Sequence, residues 1–536
     1  MKNIPDIKLG IVAVSRDCFP IELSQKRRNR VVAACRERGV PIVEIETIIE
    51  NERDVLRALE ESREKGINAL ALYLGNFGPE GPIAMMAERF PGPVMLAAAA
   101  EDSGRDLVDG RGDAYCGMLS ASYGIGLRRL EPHIPEYPVG DPADVARMLG
   151  EFVPVARVVE GVRHLKIFSF GPRPFDFLTC HAPIQPLFDL GVEIMENSEL
   201  DLYDIVQTER GSAEARRIAG QMTEELGAGN TYPELPEKLA ALEAALEKFM
   251  EAHLGASCYA AFANKCWPAF EKYFGHVPCY VNGRLAAKGI PVACEADIYG
   301  ALSEYMVLAA TGAPPAILDI NNSVPKDMYG APDPAFGDYD LTDLWMGFHC
   351  GNASPQCMVQ PELKYQLIMH RTLEPGKDPD ITRGTLEGRI HPGPISVFRI
   401  QSSSDACLQA AKALPATVQP VMISVVPSCS MPPPELPVIA TRRGSTGRWA
   451  NAQSRRRDMS HTRSPIGVRP TRRSCRSWMR QEWVRSSAWS CAVRVSPNAR
   501  VVGAMARYPS RTAWTAMSRS PACIDASSDS ELAMPA

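Results

Sequence analysis

IPVACEADIYGALSEYMVLAATGAPPAILDINN, residues 290–322, decides how the chain is read. PVAC is a short apolar run suited to a buried strand, and ADIYGALSEYMVLAAT has helical spacing that stops at Gly312, ahead of Pro314 and Pro315. AILDI is again apolar and β-compatible. The stretch reads as strand, crossover helix and strand, with Glu295 and Asp319 each leaving a strand end. In a right-handed crossover the two strands run parallel, so residues leaving their carboxyl ends share one edge of the sheet. If the strands are direct neighbours, the two acids lie about 5 Å apart, and they repel unless a cation or a shared proton lies between them. Singly, each has an ordinary explanation: Glu295 as a residue helped by the dipole of the following helix, Asp319 as a turn former before Asn321 and Asn322. As a pair, at the edge where open α/β sheets bind ligands, they point to a divalent metal.

Four stretches carry a family resemblance: YVNGRLAAKGIPVACEADIYGALSEYM (280–306) followed by ILDINN, NKCWPAF (264–270), LGNFGPE (74–80) and FGPRPFDFLTC (170–180). Over about residues 8 to 400 the chain resembles the L-fucose/L-arabinose isomerase superfamily, and is most similar to its fucose-isomerase-like branch. The resemblance implies an aldose–ketose isomerase that holds Mn²⁺ through a Glu, an Asp and a later His. Such enzymes pass a proton between C1 and C2 through an ene-diol, and relatives assemble as hexamers with pockets shared between subunits. Carried over by position, Glu295 and Asp319 are the expected metal ligands and the acid/base pair. The residue types suit this chemistry independently. Removing a weakly acidic proton beside a carbonyl requires a Lewis acid and a base within about 3 Å, and carboxylates serve both needs. Oxygen ligands with one imidazole suit Mn²⁺ or Mg²⁺. Cys294 and Cys350 read as small core residues or as polarizable wall.

The family's third ligand is a histidine close to the C-terminus, where this sequence departs from its relatives. His349, in WMGFHCGN, lies where a family loop lines the sugar pocket and reads as a substrate contact. His370 reads as a surface or helix-end residue and His391 as a turn residue. Three loops leave strands where a pocket belongs. GNFGPE places Asn76 and Glu80 where they can meet sugar hydroxyls or simply make a βα turn. GPRPFDF offers Arg173, to grip hydroxyls or to brace Asp176. NKCWP offers Asn264 as a polar contact and Trp267 as a sugar platform or a core ring.

Apolar runs at 8–14, 41–45, 67–75 and 93–99 alternate with helical segments, and a second alternation starts at 165–171. The expected fold is α/β, with two doubly wound parallel-sheet domains (1–160 and 161–340) followed by an antiparallel β domain that begins at 341–401. Beyond about residue 402 the composition breaks. From Thr441 onward there are 18 Arg, no Lys and 5 acidic residues, and five of the 7 tryptophans fall there without a period. Arg, Ser, Trp, Cys and Pro without Lys or Phe is what GC-rich coding DNA yields out of frame, so residues 402–536 read as a frameshifted tail expected to stay disordered. On this reading the chain lacks the family's closing histidine and is a damaged isomerase. The rival reading of the tail is a basic, aromatic-studded nucleic-acid-binding arm.

The net charge of −5 hides an asymmetry: the tail carries about +13 and the first 440 residues about −18, which argues against a nucleic-acid partner for the enzyme body. Fifteen cysteines without a CxxC pair suggest reduced thiols and a cytoplasmic setting. No apolar run approaches the ~18 residues of a membrane span and no signal-peptide layout opens the chain. The expected partners are a small-molecule sugar and further copies of the chain. The alternative function is a non-catalytic sugar-binding α/β protein. A dinucleotide-dependent oxidoreductase is disfavoured because GIVAVSRDCFP, after the first strand, lacks GxGxxG.

Overall fold

The computed structural model describes residues 2–108, 110–321, 344–349, 352–366, 376, 380–391 and 393–402, with the backbone of four further strands beyond residue 402. The chain divides into two compact units, one spanning residues 8–150 and one comprising 1–7 with 151–503.

The first unit contains β1 (Leu9–Val14), α1 (Ile21–Glu37), β2 (Val43–Glu44), α2 (Glu52–Glu64), β3 (Ala69–Leu74), α3 (Glu80–Arg89), β4 (Val94–Ala99), α4 (Ala114–Leu127) and β5 (Val139–Gly140). Its sheet is parallel throughout, in the order β2-β1-β3-β4-β5. All six residues of β1, β3 and β4 are buried, as expected where helices cover both faces of a parallel sheet. Asn51 starts α2 by accepting from the backbone N–H groups of Arg53 and Asp54, while Asp54 returns the bond to the Asn51 backbone.

Helix α5 (Pro142–Arg163) leads into the second unit. There follow β6 (Leu165–Phe170), α6 (Gln185–Asp189), β7 (Glu193–Asn197), α7 (Glu199–Glu209), α8 (Ala213–Leu226), α9 (Leu235–His253) and β8 (Tyr259–Ala263). Next come α10 (Phe270–Phe274), α11 (Cys279–Ala287), β9 (Val292–Ala293) and α12 (Ile298–Thr311). The sheet is again parallel, in the order β7-β6-β8-β9. Strands β10 (Ala316–Asn321), β11 (Leu344–Phe348), β12 (Met358–Tyr365), β13 (Arg383–Ile390) and β14 (Gly393–Ser402) complete the continuous part. The backbone strands are β15 (Leu408–Lys412), β16 (Ala416–Val418), β17 (Val438–Thr441) and β18 (Ser490–Val495). They join an antiparallel sheet ordered β15-β14-β16-β17-β11-β10-β18, and β12 pairs separately with β13. The fold is thus α/β, with two parallel sheets followed by an antiparallel one. Apart from these four strands, the expectation for residues 402–536 lies outside the described residues, as do His370 and Cys350.

One expectation is overturned. The strands flanking α12 are not parallel neighbours: β9 ends the parallel sheet, whereas β10 pairs antiparallel with β11 and β18. The reason lies in α12, which packs against β8 and β9 and also against β14 and β18. Eleven of its 14 residues are buried. A crossover helix on the outside of a sheet keeps a polar face to water, but α12 is covered by parallel strands on one side and antiparallel strands on the other. Ala316, Leu318, Ile395 and Val397 of the antiparallel sheet share one apolar core with Phe168, Phe262 and Val292 of the parallel one. Among the described residues no helix is long and apolar enough to cross a membrane.

Candidate active site and metal centre

The strand order β7-β6-β8-β9 reverses between β6 and β8, and ligands of open α/β sheets bind at such a reversal, outside the carboxyl ends of the strands. The loops that leave this edge carry Arg173 after β6, Asn264 and Trp267 after β8, and Glu295 after β9. They touch one another. Lys265 Nζ donates to the Pro172 carbonyl at 2.8 Å, the rings of Phe175 and Trp267 lie 5.5 Å apart, and the Ala296 N–H donates to the Asn264 carbonyl at 2.7 Å.

The loop after β9 is held in a costly conformation. Glu295 (φ 60°) and Ala296 (φ 52°) are consecutive non-glycine residues in the left-handed region, where each residue costs about 1–2 kcal/mol. Strain of this kind persists only where the surroundings fix it, and it concentrates at functional sites. The Asp297 N–H donates back to the Cys294 carbonyl at 3.1 Å. Asp297 then caps α12 by accepting from the Gly300 N–H at 2.8 Å, and it receives two bonds from Arg399 of β14, at 2.6 and 3.1 Å. Both side chains of this ion pair are only 4% exposed. Arg399 also donates to Gln401, whose amide reaches the Thr179 carbonyl. The antiparallel sheet therefore grips the loop that presents Glu295.

Among the described residues, ligand atoms of Cys294, Glu295 and His349 lie within 4.8 Å of one another. A divalent ion sits about 2.0–2.3 Å from nitrogen, oxygen and sulfur donors, so its ligands are at most about 4.5 Å apart. The cluster fits such an ion after a small side-chain adjustment. Asp319 is outside this set, and its expected closeness to Glu295 rested on the parallel pairing that the fold replaces. Asp319 instead stands opposite Phe348 on the β10–β11 ladder, immediately before His349. The antiparallel turn of β10 thus makes Asp319 a neighbour of the histidine segment.

Burial dominates the titration of the groups around the cluster. Burial, together with the Asp297 and Glu295 carboxylates, pushes the Cys180 thiol up, which keeps it protonated. Glu304 of α12 is 3% exposed. Burial pushes its carboxyl up to about 8, against the opposing pull of His349 and of the Val292 N–H that it accepts from. The Asn352 side chain donates to the Val292 carbonyl at 2.9 Å, and the Asn352 N–H points to His349 Nδ1 at 3.4 Å. These contacts tie the histidine loop to the outer strand of the parallel sheet.

The other expected positions fall as follows. Asn264 is buried and its amide is exchanged with Asn282, at 2.9 Å in both directions, so its side chain is committed internally. Trp267 packs half-buried on Cys266, Val277, Cys279 and Cys294. Arg173 is half-buried and Asp176 exposed. Asn76 and Glu80 belong to the first unit, where Asn76 donates to the Ser15 hydroxyl and the Pro20 carbonyl and Glu80 faces Arg16 at 3.5 Å. His391 is exposed between β13 and β14. Sequence reasoning missed Cys294 as a donor and Glu304 as a buried acid. The signals were present: Cys294 directly precedes Glu295, and Glu304 is the one charged residue of α12.

An α/β chain with strained, carboxylate-bearing loops at the edge of a parallel sheet belongs among the enzymes and binders that use this edge. Residues 10–163 match the family described as fucose/sulfoquinovose isomerase, N-terminal domain, and this match supports the resemblance to the fucose-isomerase-like superfamily. It is 28% identical over 239 residues to the sulfoquinovose isomerase of Clostridium sp. (strain MSTE9), which covers 43% of this chain and 51% of the relative. It is 24% identical over 317 residues to that of Priestia aryabhattai (56% and 67%), and 25% identical over 267 residues to that of Alkalicoccus urumqiensis (48% and 53%). The chain thus spans about half the length of the first relative.

Proposed function

We propose that the chain is a metal-dependent aldose–ketose isomerase acting on a free sugar of the L-fucose, L-arabinose or sulfoquinovose type. The observation that carries this reading is the cluster of Cys294, Glu295 and His349 at the carboxyl edge of a parallel sheet, in a chain whose relatives are sulfoquinovose isomerases. Cys294, Glu295 and His349 would hold a divalent ion, Mn²⁺ in the reading carried from the family and a softer ion if the thiolate binds, and such an ion would supply the Lewis acid that polarises the carbonyl and its neighbouring hydroxyl. The Glu295 carboxylate takes the proton from C2 of the aldose, the C2–H pair forms the C1–C2 double bond, and the carbonyl oxygen takes up a proton as the ene-diol forms. Return of the proton to C1, with loss of the proton on O2, gives the ketose. Asp319, beside the histidine segment, is the second acid/base group. Arg173 and Trp267 line the same edge and hold the sugar, while Asn264 acts through its backbone carbonyl by fixing Ala296. His349 supplies the imidazole of the ligand set.

Incubating the full chain in D₂O with Mn²⁺, Mg²⁺, Co²⁺ or Zn²⁺ and each of the three sugars tests this. Ketose formation with deuterium at C1 is expected, and Glu295→Gln should abolish both. No ketose and no exchange with any metal and sugar would refute the proposal, and tight metal-independent sugar binding would favour a non-catalytic sugar-binding protein.

A further inference from the structure

Strand β9 is the outer strand of the second parallel sheet. On its inner edge the Pro291 and Ala293 carbonyls accept from the Phe262 and Asn264 N–H groups, at 2.9 and 3.0 Å, so the N–H and C=O of Val292 between them point to the outer edge. Both are taken by side chains. The Val292 C=O accepts from the Asn352 amide at 2.9 Å, and the Val292 N–H donates to the carboxyl of Glu304. The Asn352 N–H in turn points to His349 Nδ1 at 3.4 Å. Glu304 and the histidine loop therefore meet on one residue of the sheet edge, two positions before Cys294. Glu304 is the only charged residue of α12 and is 3% exposed. One of its oxygens accepts from Val292, but Oε1 has no hydrogen-bond partner among the described residues. A buried acceptor left in that state is costly to retain and calls for an explanation. After burial, the His349 ring is the strongest influence on the Glu304 carboxyl, ahead of Asp297 and Arg399, which places the imidazole close to it.

We propose that Glu304 is a positioning residue for His349: its Oε1 accepts the ring Nε2–H and so fixes the tautomer and rotation of the imidazole, leaving Nδ1 for the cation. The inference rests on the reading of Cys294, Glu295 and His349 as a metal centre. Three observations select this role. The Asn352 N–H is a donor aimed at Nδ1, so in the metal-free chain Nδ1 carries the lone pair and Nε2 the proton. Nε2 is buried, so that proton requires an acceptor supplied by the protein, and Oε1 is an acceptor whether the carboxyl is ionised or carries a proton on its other oxygen. The Asn352 contact, at 3.4 Å, is long and can give way to an ion at Nδ1 while the bond at Nε2 stays in place. Handing the second ring N–H to a carboxyl is how metal-bound imidazoles are commonly oriented. It also explains why a helix covered on both sides keeps one acid at this position.

Two measurements on the full chain test the proposal: long-range ¹H–¹⁵N spectra of histidine-labelled, metal-free protein, and Mn²⁺ titration followed by electron paramagnetic resonance. The His349 signals, assigned by their loss in His349→Ala, should show one tautomer with the proton on Nε2. In Glu304→Gln the amide must turn its NH₂ toward one of the two donors, so the tautomer should become mixed or reverse. Mn²⁺ binding should weaken about 10–100-fold with unchanged circular dichroism. Glu304→Leu, which removes both acceptors, should act in the same direction. Tyr305→Phe deletes the other unpartnered buried polar atom of α12, beside Gly161 of α5, and should leave both readouts at their wild-type values. A His349 proton on Nδ1 in the wild type, wild-type tautomer and Mn²⁺ affinity in Glu304→Gln, or an equal loss in Tyr305→Phe would overturn the inference and leave the metal centre standing. Absence of Mn²⁺ binding by the wild type would remove the metal centre itself, and the inference with it.

Discussion

Replacing Arg399 by Met removes the guanidinium that pairs with Asp297 while preserving most of the side-chain volume. The pair is 4% exposed on both sides and makes two bonds, at 2.6 and 3.1 Å. Asp297 would keep the Gly300 N–H as a partner, but its charge would be buried without compensation. Breaking a buried pair on one side costs about 3–5 kcal/mol, whereas replacing both partners is far less costly. Arg399→Met should therefore lower the unfolding free energy by about 3–5 kcal/mol in urea titrations, and Asp297→Asn/Arg399→Met by clearly less than the sum of the two single changes. Because Asp297 ends the left-handed Glu295–Ala296 turn, the single variant should also weaken Mn²⁺ binding by about 10–100-fold, as loss of a group that orients a metal ligand does. A loss below about 1 kcal/mol with unchanged Mn²⁺ affinity would refute the view that the antiparallel sheet holds the site loop.

Two further outcomes follow from the packing. His276 is buried, its ring Nδ1–H donates to the Val277 carbonyl at 3.1 Å, and burial pushes it down to about 4. Its folded value lies below its unfolded one, so the unfolded chain binds the proton first and stability is lost as pH falls from about 6.5 to 4. The loss is at most about 3 kcal/mol, and His276→Phe should flatten that slope in urea titrations run across the range; an unchanged slope would contradict the assignment. Gly283 of α11 has no room for a side chain, because a Cβ would sit 2.2 Å from the Ala353 carbonyl oxygen. Gly283→Ala should cost about 1–3 kcal/mol by overpacking, despite the better helix propensity of Ala, and a stabilised variant in the same assay would contradict the close seating.

Much of the architecture is legible in the sequence because fully buried parallel strands are continuous apolar runs. Residues 8–14, 67–75, 93–99 and 165–171 all contain strands, and the loops that follow them carry the polar side chains. The misreading at 290–322 has a physical origin. AILDI is apolar in either kind of sheet, so the pattern sets strand identity without setting direction. The correct clue was α12, whose single charged residue in 14 shows that both of its faces are covered. Glu295 could be singled out as a candidate from sequence, since a carboxylate after a buried strand of a parallel sheet falls at the edge where such sheets bind ligands. The sequence offered His349 as a substrate contact but not as a neighbour of Glu295, and it did not offer Cys294 as a donor, because their approach depends on the left-handed turn at Glu295 and on the return of β11 beside β10, and neither is encoded by a local motif. The Asp297–Arg399 pair spans 102 positions and could not be found by spacing at all.

The claim on which the account rests is that Glu295 and His349 share one divalent cation at the carboxyl edge of the second parallel sheet. Titrating Mn²⁺ into the full chain, with free ion followed by electron paramagnetic resonance, tests it most directly. One ion per chain should bind to the wild type, and Glu295→Gln and His349→Ala should each weaken it at least tenfold while both variants stay folded. Undiminished binding in both variants, or no binding to the wild type, would contradict it.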